Sequence, residues 1–402
     1  MNKKTITDID VQGKKVLMRV DFNVPITPEG GVGDDTRISA AIPSIEYVLK
    51  KGGSVVLMSH LGRPKGKPSA EFSLKPVAAD LSKKLGIDVK FAGDCVGDEA
   101  AKMSADLKAG EVLLLENLRF HAEEEGKGVS EEAQEAFAKQ LAAHGEVYVN
   151  DAFGTAHRAH ASMAVVTKYF EDCAAGFLLE KEINYLAKTL EAPEKPFVAI
   201  IGGAKISGKI DVILNLMEKV DTLLIGGGMA YTFFKAMGRK IGGSIHEDDK
   251  MDLALQIMKD AENRGVQLLL PVDNVIGDDF SADANIRIVE GDIPDGWEGM
   301  DIGPKTREQF TDVIADAKTV IWNGPMGCFE MTPFAAGTNA VATAVAETHC
   351  VSIIGGGDSV SAVKKAGLDH LITHISTGGG ASLELMEGKA LPGLEALTDK
   401  TS

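Results

Sequence analysis

Short runs of valine, isoleucine and leucine alternate along the chain with stretches in which apolar residues recur at helical spacing. In residues 38–50, for example, Ile38, Ile42, Ile45 and Leu49 lie on one face of a helix. Such alternation is typical of βα units that build parallel sheets. It predicts a first series of strands at residues 16–22, 55–59, 112–115 and 147–150, and a second series at 197–201, 222–225, 267–270, 319–322, 351–354 and 372–375.

The two series are separated by residues 177–190, where Leu179, Ile183 and Leu186 suit a helix that ends before Pro193. We interpret this segment as an interdomain helix. The chain is therefore expected to be an α/β protein with two Rossmann-like lobes. Each lobe would be a mainly parallel sheet flanked by helices, and the interdomain helix and a hinge would join them.

The predicted domains cover residues 1–172 and residues 173–388, and the second begins with the interdomain helix. A C-terminal segment, 389–402, follows them. Its apolar residues Leu391 and Leu394 predict that it docks back on the N-terminal domain.

Glycine accounts for 44 of the 402 residues, and in the second half of the chain it clusters directly after predicted strands. In open α/β sheets the ligand site lies beyond the carboxyl ends of the strands. Glycine there lets main-chain N–H groups approach an anion, and the next helix N-terminus adds a partial positive charge. Four turns of this kind favour a phosphate or nucleotide site: Gly202-Gly203-Ala204-Lys205, Gly226-Gly227-Gly228-Met229, Gly355-Gly356-Gly357-Asp358-Ser359 and Gly378-Gly379-Gly380-Ala381-Ser382.

These turns do not complete the common nucleotide motifs. Residues 203–210 approach the P-loop pattern, but Ile210 stands where a hydroxyl should hold magnesium. The dinucleotide pattern GxGxxG fails because Tyr231, Val360 and Leu383 stand in place of its third glycine. The HRD and DFG motifs of protein kinases are missing from the sequence as well.

The net charge of −17 argues against nucleic acid as a partner, because binding to a phosphate backbone requires a basic face. Residues 1–170 hold 22 Lys+Arg against 24 Asp+Glu, whereas residues 171–402 hold 20 against 35. The first half is therefore the better host for an anion. The sequence shows no membrane-length apolar run, no signal peptide and no metal-ligand spacing among its four cysteines, so we expect a cytoplasmic protein without a membrane partner.

The arginines of the first half lie where predicted strands end or where the next helix begins. They are Arg19, Arg37, Arg63, Arg119 and Arg158. A guanidinium group grips carboxylate and phosphate with two parallel hydrogen bonds, so the set predicts a small, multiply charged anion. The same segments contain His60, His157 and His160. With no carboxylate or thiolate beside them, these histidines would make a poor metal site, and we interpret them as hydrogen-bond partners of the anion.

Taken together, the motifs are specific. They are Arg19-Val20-Asp21-Phe22-Asn23-Val24-Pro25, Ser59-His60-Leu61-Gly62-Arg63-Pro64, Asp151-Ala152-Phe153-Gly154-Thr155-Ala156-His157-Arg158-Ala159-His160, Gly202-Gly203-Ala204-Lys205 and Gly355-Gly356-Gly357-Asp358. From about Val11 to Gly388 the chain closely resembles the phosphoglycerate kinase family. The resemblance implies a glycolytic enzyme that transfers a phosphoryl group between 1,3-bisphosphoglycerate and ADP, giving 3-phosphoglycerate and ATP, with Mg²⁺ on the nucleotide.

The resemblance also implies which residues form the two sites. In the N-terminal domain the glycerate site would consist of Asp21, Asn23, Arg37, His60, Arg63, Arg119 and Arg158. In the C-terminal domain the nucleotide would contact Gly203, Lys205, Lys209, Gly227, Gly228, Asn323, Pro325, Glu330, Gly357, Asp358 and Ser359. Asp358 would hold the metal, and the catalytic groups would be Arg37, Lys205, Gly357 and Gly380. Cys328 departs from the pattern, which usually has a small aliphatic residue there, and it should affect only the packing of the pocket.

Two alternatives stay open at this point. An NAD-dependent dehydrogenase also has βα lobes and glycine-rich turns, although its fingerprint is missing here. A nucleotide sensor without catalytic activity would share the binding motifs. On the favoured interpretation the partners are the glycerate and nucleotide substrates alone, and the protein is a monomer.

Overall fold

The computed structural model describes residues 2–400 and divides them into two compact units. The N-terminal unit consists of two segments of the chain: the residues up to Asn184 and those from Ala390 onward. The C-terminal unit runs from Tyr185 to Lys389. The predicted boundaries lie after residues 172 and 388, so the first division falls later in the structure.

The N-terminal unit is built on a six-stranded parallel sheet in the order β3-β4-β2-β1-β5-β6. Its strands are β1 (Lys15–Val20), β2 (Ser54–Met58), β3 (Val89–Phe91), β4 (Val112–Leu114), β5 (Val147–Asp151) and β6 (Cys173–Ala175). The four predicted strands are all present. The unpredicted strands β3 and β6 lie at the two sheet edges, and their sequences Val89-Lys90-Phe91 and Cys173-Ala174-Ala175 contain no run of valine, isoleucine or leucine.

The C-terminal unit has a second six-stranded parallel sheet, in the order β15-β14-β13-β7-β8-β9. Its strands are β7 (Phe197–Ile201), β8 (Thr222–Ile225), β9 (Gln267–Leu269), β13 (Thr319–Asn323), β14 (Val351–Gly355) and β15 (His374–Ile375). All six were predicted. Because β7, β8 and β13 are buried on both faces, they form continuous apolar runs, which made them easy to find.

A smaller antiparallel sheet in the C-terminal unit was not predicted. It has the order β11-β10-β12 and consists of β10 (Asp273–Gly277), β11 (Ile286–Glu290) and β12 (Glu298–Ile302). Strand β11 is an edge strand whose Ile286 and Ile288 stay exposed, so it lacks the buried alternation by which a strand is found from sequence.

Helices flank these sheets because one face of each is apolar. In α1 the buried residues Ile38, Ala41, Ile45 and Val48 recur every three or four positions. The α-helices are α1 (Thr36–Lys50), α2 (Lys75–Leu85), α3 (Gly97–Ala105), α4 (Ala122–Glu125), α5 (Glu131–Ala142), α6 (Phe177–Glu182), α7 (Lys188–Glu191), α8 (Ile210–Leu216), α9 (Met229–Ala236), α10 (Met251–Arg264), α11 (Pro304–Ala315), α12 (Ala336–Glu347), α13 (Gly357–Lys365), α14 (Gly380–Met386) and α15 (Pro392–Glu395). Within residues 2–400, no helix combines the length and the apolar character needed to cross a membrane.

Shorter helical turns complete the backbone. Turns of 3-10 helix lie at Ile6–Asp8, Ala70–Phe72, Leu118–Phe120, Phe153–Thr155, Val166–Tyr169, Asp248–Lys250, Thr332–Phe334 and Asp369–Leu371, and π turns lie at Ala161–Val165 and Ile183–Ala187. The predicted interdomain helix is therefore α6, a π turn and α7 in succession. Near the C-terminus, α15 packs within the N-terminal unit, where the Gly393 N–H donates to the Ala156 carbonyl at 2.8 Å.

Candidate functional site

The strand order of each unit identifies where a ligand should bind. In the N-terminal sheet the order reverses between β1 and β5, and in the C-terminal sheet it reverses between β7 and β13. Loops leave such neighbouring strands in opposite directions and open a crevice at their carboxyl ends. The predicted arginine and histidine segments follow β1, β2 and β5, and the glycine turns follow β7, β8 and β14.

At the end of β1, three predicted residues are joined by hydrogen bonds. Arg37, the second residue of α1, donates from Nη1 to the Asp21 carboxylate at 3.2 Å and to the Asn23 carbonyl at 3.0 Å. The Asn23 side-chain oxygen accepts from the Gly62 N–H at 2.9 Å, which ties the loop after β1 to the loop after β2. Because 40% of the Arg37 side chain is still exposed, its guanidinium group keeps donors available for a ligand.

Arg119 is anchored from the neighbouring loop. Its Nη1 donates to the Gly62 carbonyl at 2.9 Å, and its Nε lies 3.5 Å from the Glu125 carboxylate. Burial lowers the pKa of Arg119, while Glu125 opposes that shift. Arg63 and Arg158 are exposed, so both are accessible to a solute.

Beneath these arginines lies a buried polar network that the sequence analysis did not foresee. Arg19 is fully buried, donates from Nε to the Ser162 hydroxyl at 2.9 Å and lies 3.9 Å from the Glu124 carboxylate. Glu124 accepts from the Ser162 N–H at 3.0 Å and from its hydroxyl at 2.6 Å. Arg19 therefore supports the loops around it and is not itself open to a ligand.

The two buried histidines of this network are held neutral. Burial and the charge of Arg19 lower the pKa of His60 well below its usual range, with Arg119 and Arg37 contributing further. Burial together with Arg19, Arg119 and Arg158 lowers the pKa of His160 to about 3. Hydrogen bonds place three of these arginines near His60. Arg19 contacts its Nδ1, and Arg37 and Arg119 are joined to the following loop through Asn23 and Gly62.

The environment of His60 also fixes its tautomer. Its Nδ1 lies 3.2 Å from Nη2 of Arg19, which can only donate, so Nδ1 accepts and Nε2 carries the proton. His60 can thus offer an N–H to a ligand without being charged. One expectation about the histidines was wrong: a carboxylate does accompany them, because Glu124 lies 3.8 Å from Nδ1 of His160. His157 is half-buried in the same loop.

In the C-terminal unit, the ends of β7 and β13 border a cavity of about 370 Å³. Volumes of this order suit small organic ligands. The predicted residues Gly203, Gly227, Gly228, Pro325, Glu330 and Asp358 all line it. Main-chain hydrogen bonds join its walls, since the Gly203 N–H donates to the Pro325 carbonyl at 3.1 Å and the Gly227 N–H donates to the Met326 carbonyl at 3.0 Å.

The walls approach each other so closely that side chains would not fit. Gly227 has a φ of +71°, and a Cβ there would lie 2.7 Å from the Gly203 nitrogen and 2.9 Å from the Pro325 oxygen. Gly356, with a φ of +89°, turns the chain from β14 into α13. Both positions therefore require glycine for backbone conformation, and Gly227 requires it for space as well.

Asp358 lines this cavity, and Lys209 is bonded to Asn323 at the end of β13. The Lys209 ammonium donates to the side-chain oxygen of Asn323, and burial lowers the pKa of this lysine while Asp358 opposes the shift. Asp358 is exposed in the first turn of α13, where its carboxylate could hold a hard divalent cation. The buried hydroxyl of Ser359 accepts from the Gly324 N–H at 2.6 Å, so it supports the turn after β13.

Six predicted residues of this unit do not line the cavity: Lys205, Lys209, Asn323, Gly357, Ser359 and Gly380. Lys205 is exposed just after the first glycine turn. Gly357 and Gly380 are the first residues of α13 and α14. Cys328 lines the cavity as expected, and burial raises the pKa of its thiol to about 11, so the thiol stays protonated at neutral pH.

The sequence analysis missed one wall of the cavity. Tyr231 from α9, Phe280 from the loop after β10 and Glu298 from β12 all line it. Beneath them Asp301 accepts from the Gly337 N–H at 2.7 Å, and burial raises the pKa of Asp301 to about 7. These residues belong to the unpredicted antiparallel sheet or face it, and glycine turns alone could not reveal them.

Comparisons with known proteins agree with one another. The family model described as "Phosphoglycerate kinase" matches residues 6–389. Curated proteins of that name from Chloroherpeton thalassium and Chlorobium phaeobacteroides are 57% and 56% identical to this chain, covering 99% of it and 100% of their own lengths. A solved structure described as phosphoglycerate kinase from Coxiella burnetii superposes with a TM-score of 0.91 at 40% identity, covering 98% of each chain. The one from Pyrococcus horikoshii has a TM-score of 0.82 at 33% identity over the same share.

Proposed function

Because the chain belongs to the phosphoglycerate kinase family, we propose that its arginine-rich site binds the glycerate substrate and its glycine-walled cavity binds the nucleotide. The chain is a phosphotransferase of glycolysis. The reaction is reversible phosphoryl transfer between 1,3-bisphosphoglycerate and ADP, giving 3-phosphoglycerate and ATP. The observation that carries the assignment of the sites is the set of hydrogen bonds that holds Arg37 and Arg119 at the loop after His60, because guanidinium groups with donors to spare favour a multiply charged anion.

For the glycerate substrate, we assign anchoring and orienting roles to different residues. Arg63, Arg119 and Arg158 would hold the phosphate that does not react, since the two exposed guanidinium groups and the anchored one can approach it together. His60 would donate its Nε2 proton to the substrate as a neutral group. Asp21 and Asn23, which fix Arg37, would orient the glycerate hydroxyl and carboxylate.

The chemistry itself requires little covalent work from the protein. The phosphoryl group passes through a loose, in-line transition state, which the enzyme positions and stabilises electrostatically. The nucleophile toward ATP is a carboxylate that is already ionised, so no general base is needed. We assign Arg37 and Lys205 as the cations that contact the transferred group. The first-turn amides of α13, from Gly357, and of α14, from Gly380, would add N–H donors, because such amides have no acceptor within their own helix.

The nucleotide would enter as its magnesium complex. In the proposed arrangement Asp358 contacts Mg²⁺, while Lys209 and the turn at Gly203 face the phosphates. Gly227, Gly228 and Pro325 would form the walls against the base. Asn323 would complete the pocket through its contact with Lys209, and Ser359 would brace the turn. Glu330 would accept from the ribose hydroxyls. When bound, the cation would neutralise charge on the phosphates. The protein itself fixes the positions of the N–H and ammonium donors.

We also propose that the protein works as a monomer in the cytoplasm. Its four cysteines are free, as expected of thiols in a reducing compartment. The net charge of −17 opposes self-association. Light scattering coupled to size exclusion should give the mass of one chain, and the mass of a dimer would refute the monomer.

A coupled assay with 3-phosphoglycerate and MgATP tests the proposed function. We expect turnover that needs both substrates and Mg²⁺. A protein that binds MgADP without any turnover would instead be a nucleotide sensor. Binding of NAD in preference to MgADP would support a dehydrogenase. Calorimetric titration of MgADP and NAD into the same preparation separates these outcomes.

A further inference from the structure

A second group of ligand-type side chains lies in the N-terminal unit, outside the glycerate site. Asp94, Cys95 and His121 each present one donor atom, and these atoms lie within 4.8 Å of one another. Asp94 and Cys95 belong to the loop between β3 and α3, and His121 precedes α4. Within residues 2–400, no other group of three histidine, cysteine or acidic side chains brings its donor atoms this close together.

Hydrogen bonds and a ring contact hold the three residues in place. The Cys95 N–H donates to the Asp94 carboxylate at 2.6 Å, and the Cys95 carbonyl lies 3.0 Å from Nε2 of the buried His144. Because Nδ1 of His144 contacts the Ser104 hydroxyl at 2.9 Å, the His144 ring is fixed on both sides. The His121 ring stacks on Phe137 with centroids 5.2 Å apart. These contacts fix the main chain at Cys95 and the plane of the His121 ring, so the donor atoms are held in position before an ion binds.

Two members of the group are accessible to a small solute. Asp94 and His121 line a surface cavity of about 880 Å³, and Cys95 lies fully buried beneath them. Glu116, which lines the same cavity, has its carboxylate engaged by the Ser73 hydroxyl at 2.7 Å and by the Leu74 N–H at 2.8 Å. A cation bound by the three donors would therefore keep its next position open to water from the cavity.

We propose that Asp94, Cys95 and His121 form a binding site for a divalent transition-metal ion, with Zn²⁺ as the best match. A thiolate, an imidazole and a carboxylate are all zinc ligands, and three protein ligands plus water complete a tetrahedron. The thiolate makes Mg²⁺ and Ca²⁺ poor occupants, because those ions prefer oxygen.

Binding changes two bonds. The Nε2 of His121 and the Asp94 carboxylate oxygen now share a hydrogen bond of 2.7 Å. Ligands of one tetrahedral zinc lie roughly 3.3 to 3.7 Å apart, so the ion replaces that hydrogen bond and draws the sulfur closer. Cys95 binds as a thiolate, and its proton leaves to solvent as the Zn–S bond forms. The proton that Nε2 of His121 donates to Asp94 leaves that nitrogen as well. By exchange with solvent the neutral ring then carries its proton on Nδ1, and the Nε2 lone pair binds the ion. The occupied site would join the loop after β3 to the segment that also contains Arg119.

Cobalt substitution tests the proposal, because Co²⁺ bound to a thiolate shows a ligand-to-metal charge-transfer band in the near ultraviolet. Full-length protein without an affinity tag is treated with chelator, and Co²⁺ is titrated in. We expect this band at one equivalent, with loss of the band when Zn²⁺ is added. The variant Cys95→Ala should lose the band, and the control Cys173→Ala, which removes the other buried thiol of this unit, should keep it.

A second variant tests the site without changing the buried residue Cys95. His121→Asn changes a half-exposed side chain, so the protein should fold, and it should bind Co²⁺ at least about tenfold more weakly. Zinc should raise the melting temperature of the parent and leave that of this variant unchanged. Absence of the charge-transfer band from the parent, or its persistence in Cys95→Ala, would overturn the proposal. Neither result depends on kinase activity.

Discussion

The two units differ in the groups that they present to an anion. In the N-terminal unit, side chains do so: Arg37 and Arg119 are fixed by oxygen acceptors, above the buried network of Arg19, Glu124 and Ser162. In the C-terminal unit, the main chain does so, through glycine turns packed so closely that Gly227 has no space for a Cβ. Replacing one side chain should therefore impair function in the first unit and leave its fold intact, whereas adding one methyl group should distort the second site.

The largest effect should come from Arg37→Ala. If this guanidinium group contacts charge that develops in the transition state, kcat should fall on the order of 10³-fold, as for arginines with that role in other phosphoryl-transfer enzymes. Steady-state assays with both substrates saturating measure this. Lys50→Ala, which removes an exposed cation at the other end of α1, is the control and should have normal kcat. Near-normal turnover in Arg37→Ala would remove it from the catalytic role.

A smaller effect, on binding, is expected for Arg63→Ala. A charge-assisted hydrogen bond contributes about 1.5 to 3 kcal/mol, so KM for 3-phosphoglycerate should rise roughly 10- to 100-fold while kcat changes less. Lys67→Ala removes a nearby exposed cation and should leave KM unchanged. If KM were unaltered in Arg63→Ala, the anchoring role would be wrong.

The main-chain side of the comparison is tested by Gly227→Ala against Gly265→Ala. Both glycines have a φ of +71°, but a Cβ at Gly265 would meet no atom within 4 Å. Both variants should lose similar stability from backbone strain. Only Gly227→Ala should also weaken MgADP binding, by about tenfold, since overpacking costs about 1 to 3 kcal/mol. Calorimetric titration and thermal melts measure the two effects, and equal affinities would show that the close approach of the walls is unimportant.

The last effect concerns the buried network and changes stability without a direct effect on ligand binding. The pKa of His160 is lowered to about 3, so this imidazole stays neutral in the folded protein at pH values below about 6.5, where it binds a proton in the unfolded chain. His160 therefore makes the free energy of unfolding fall as the pH drops from about 6.5 toward 3, by up to about 1.4 kcal/mol per pH unit. Asn cannot titrate, so His160→Asn should show a shallower decline in urea unfolding between about pH 7 and pH 5. Identical pH slopes in the two proteins would contradict the buried, neutral state.

Sequence motifs were most informative where a strand ends. The turns at Gly203 and Gly227 and the segment around Arg63 follow strands that are buried on both faces, so their position at one edge of a sheet could be predicted from the pattern alone. Strands β7, β8 and β13 of the C-terminal parallel sheet were found for the same reason. The roles assigned to individual residues came from resemblance to a family, and they stay predictions.

Other features depend on contacts between residues far apart in the chain. Glu124 lies in an acidic helical turn that resembles any exposed turn in sequence, yet it is fully buried because Ser162 and Arg19 close over it. Phe280 and Glu298 line the nucleotide cavity because strand pairing brings β10 and β12 together.

The amino-acid sequence by itself determined the parallel sheets, the two kinds of anion-binding segment and their order, because periodicity and strand-end chemistry are local properties. Only the tertiary structure decided which arginine is buried, which tautomer His60 adopts and where Asp94, Cys95 and His121 meet. Burial, pKa and ligand geometry depend on distances across the folded chain, and those distances exist only once the elements have packed.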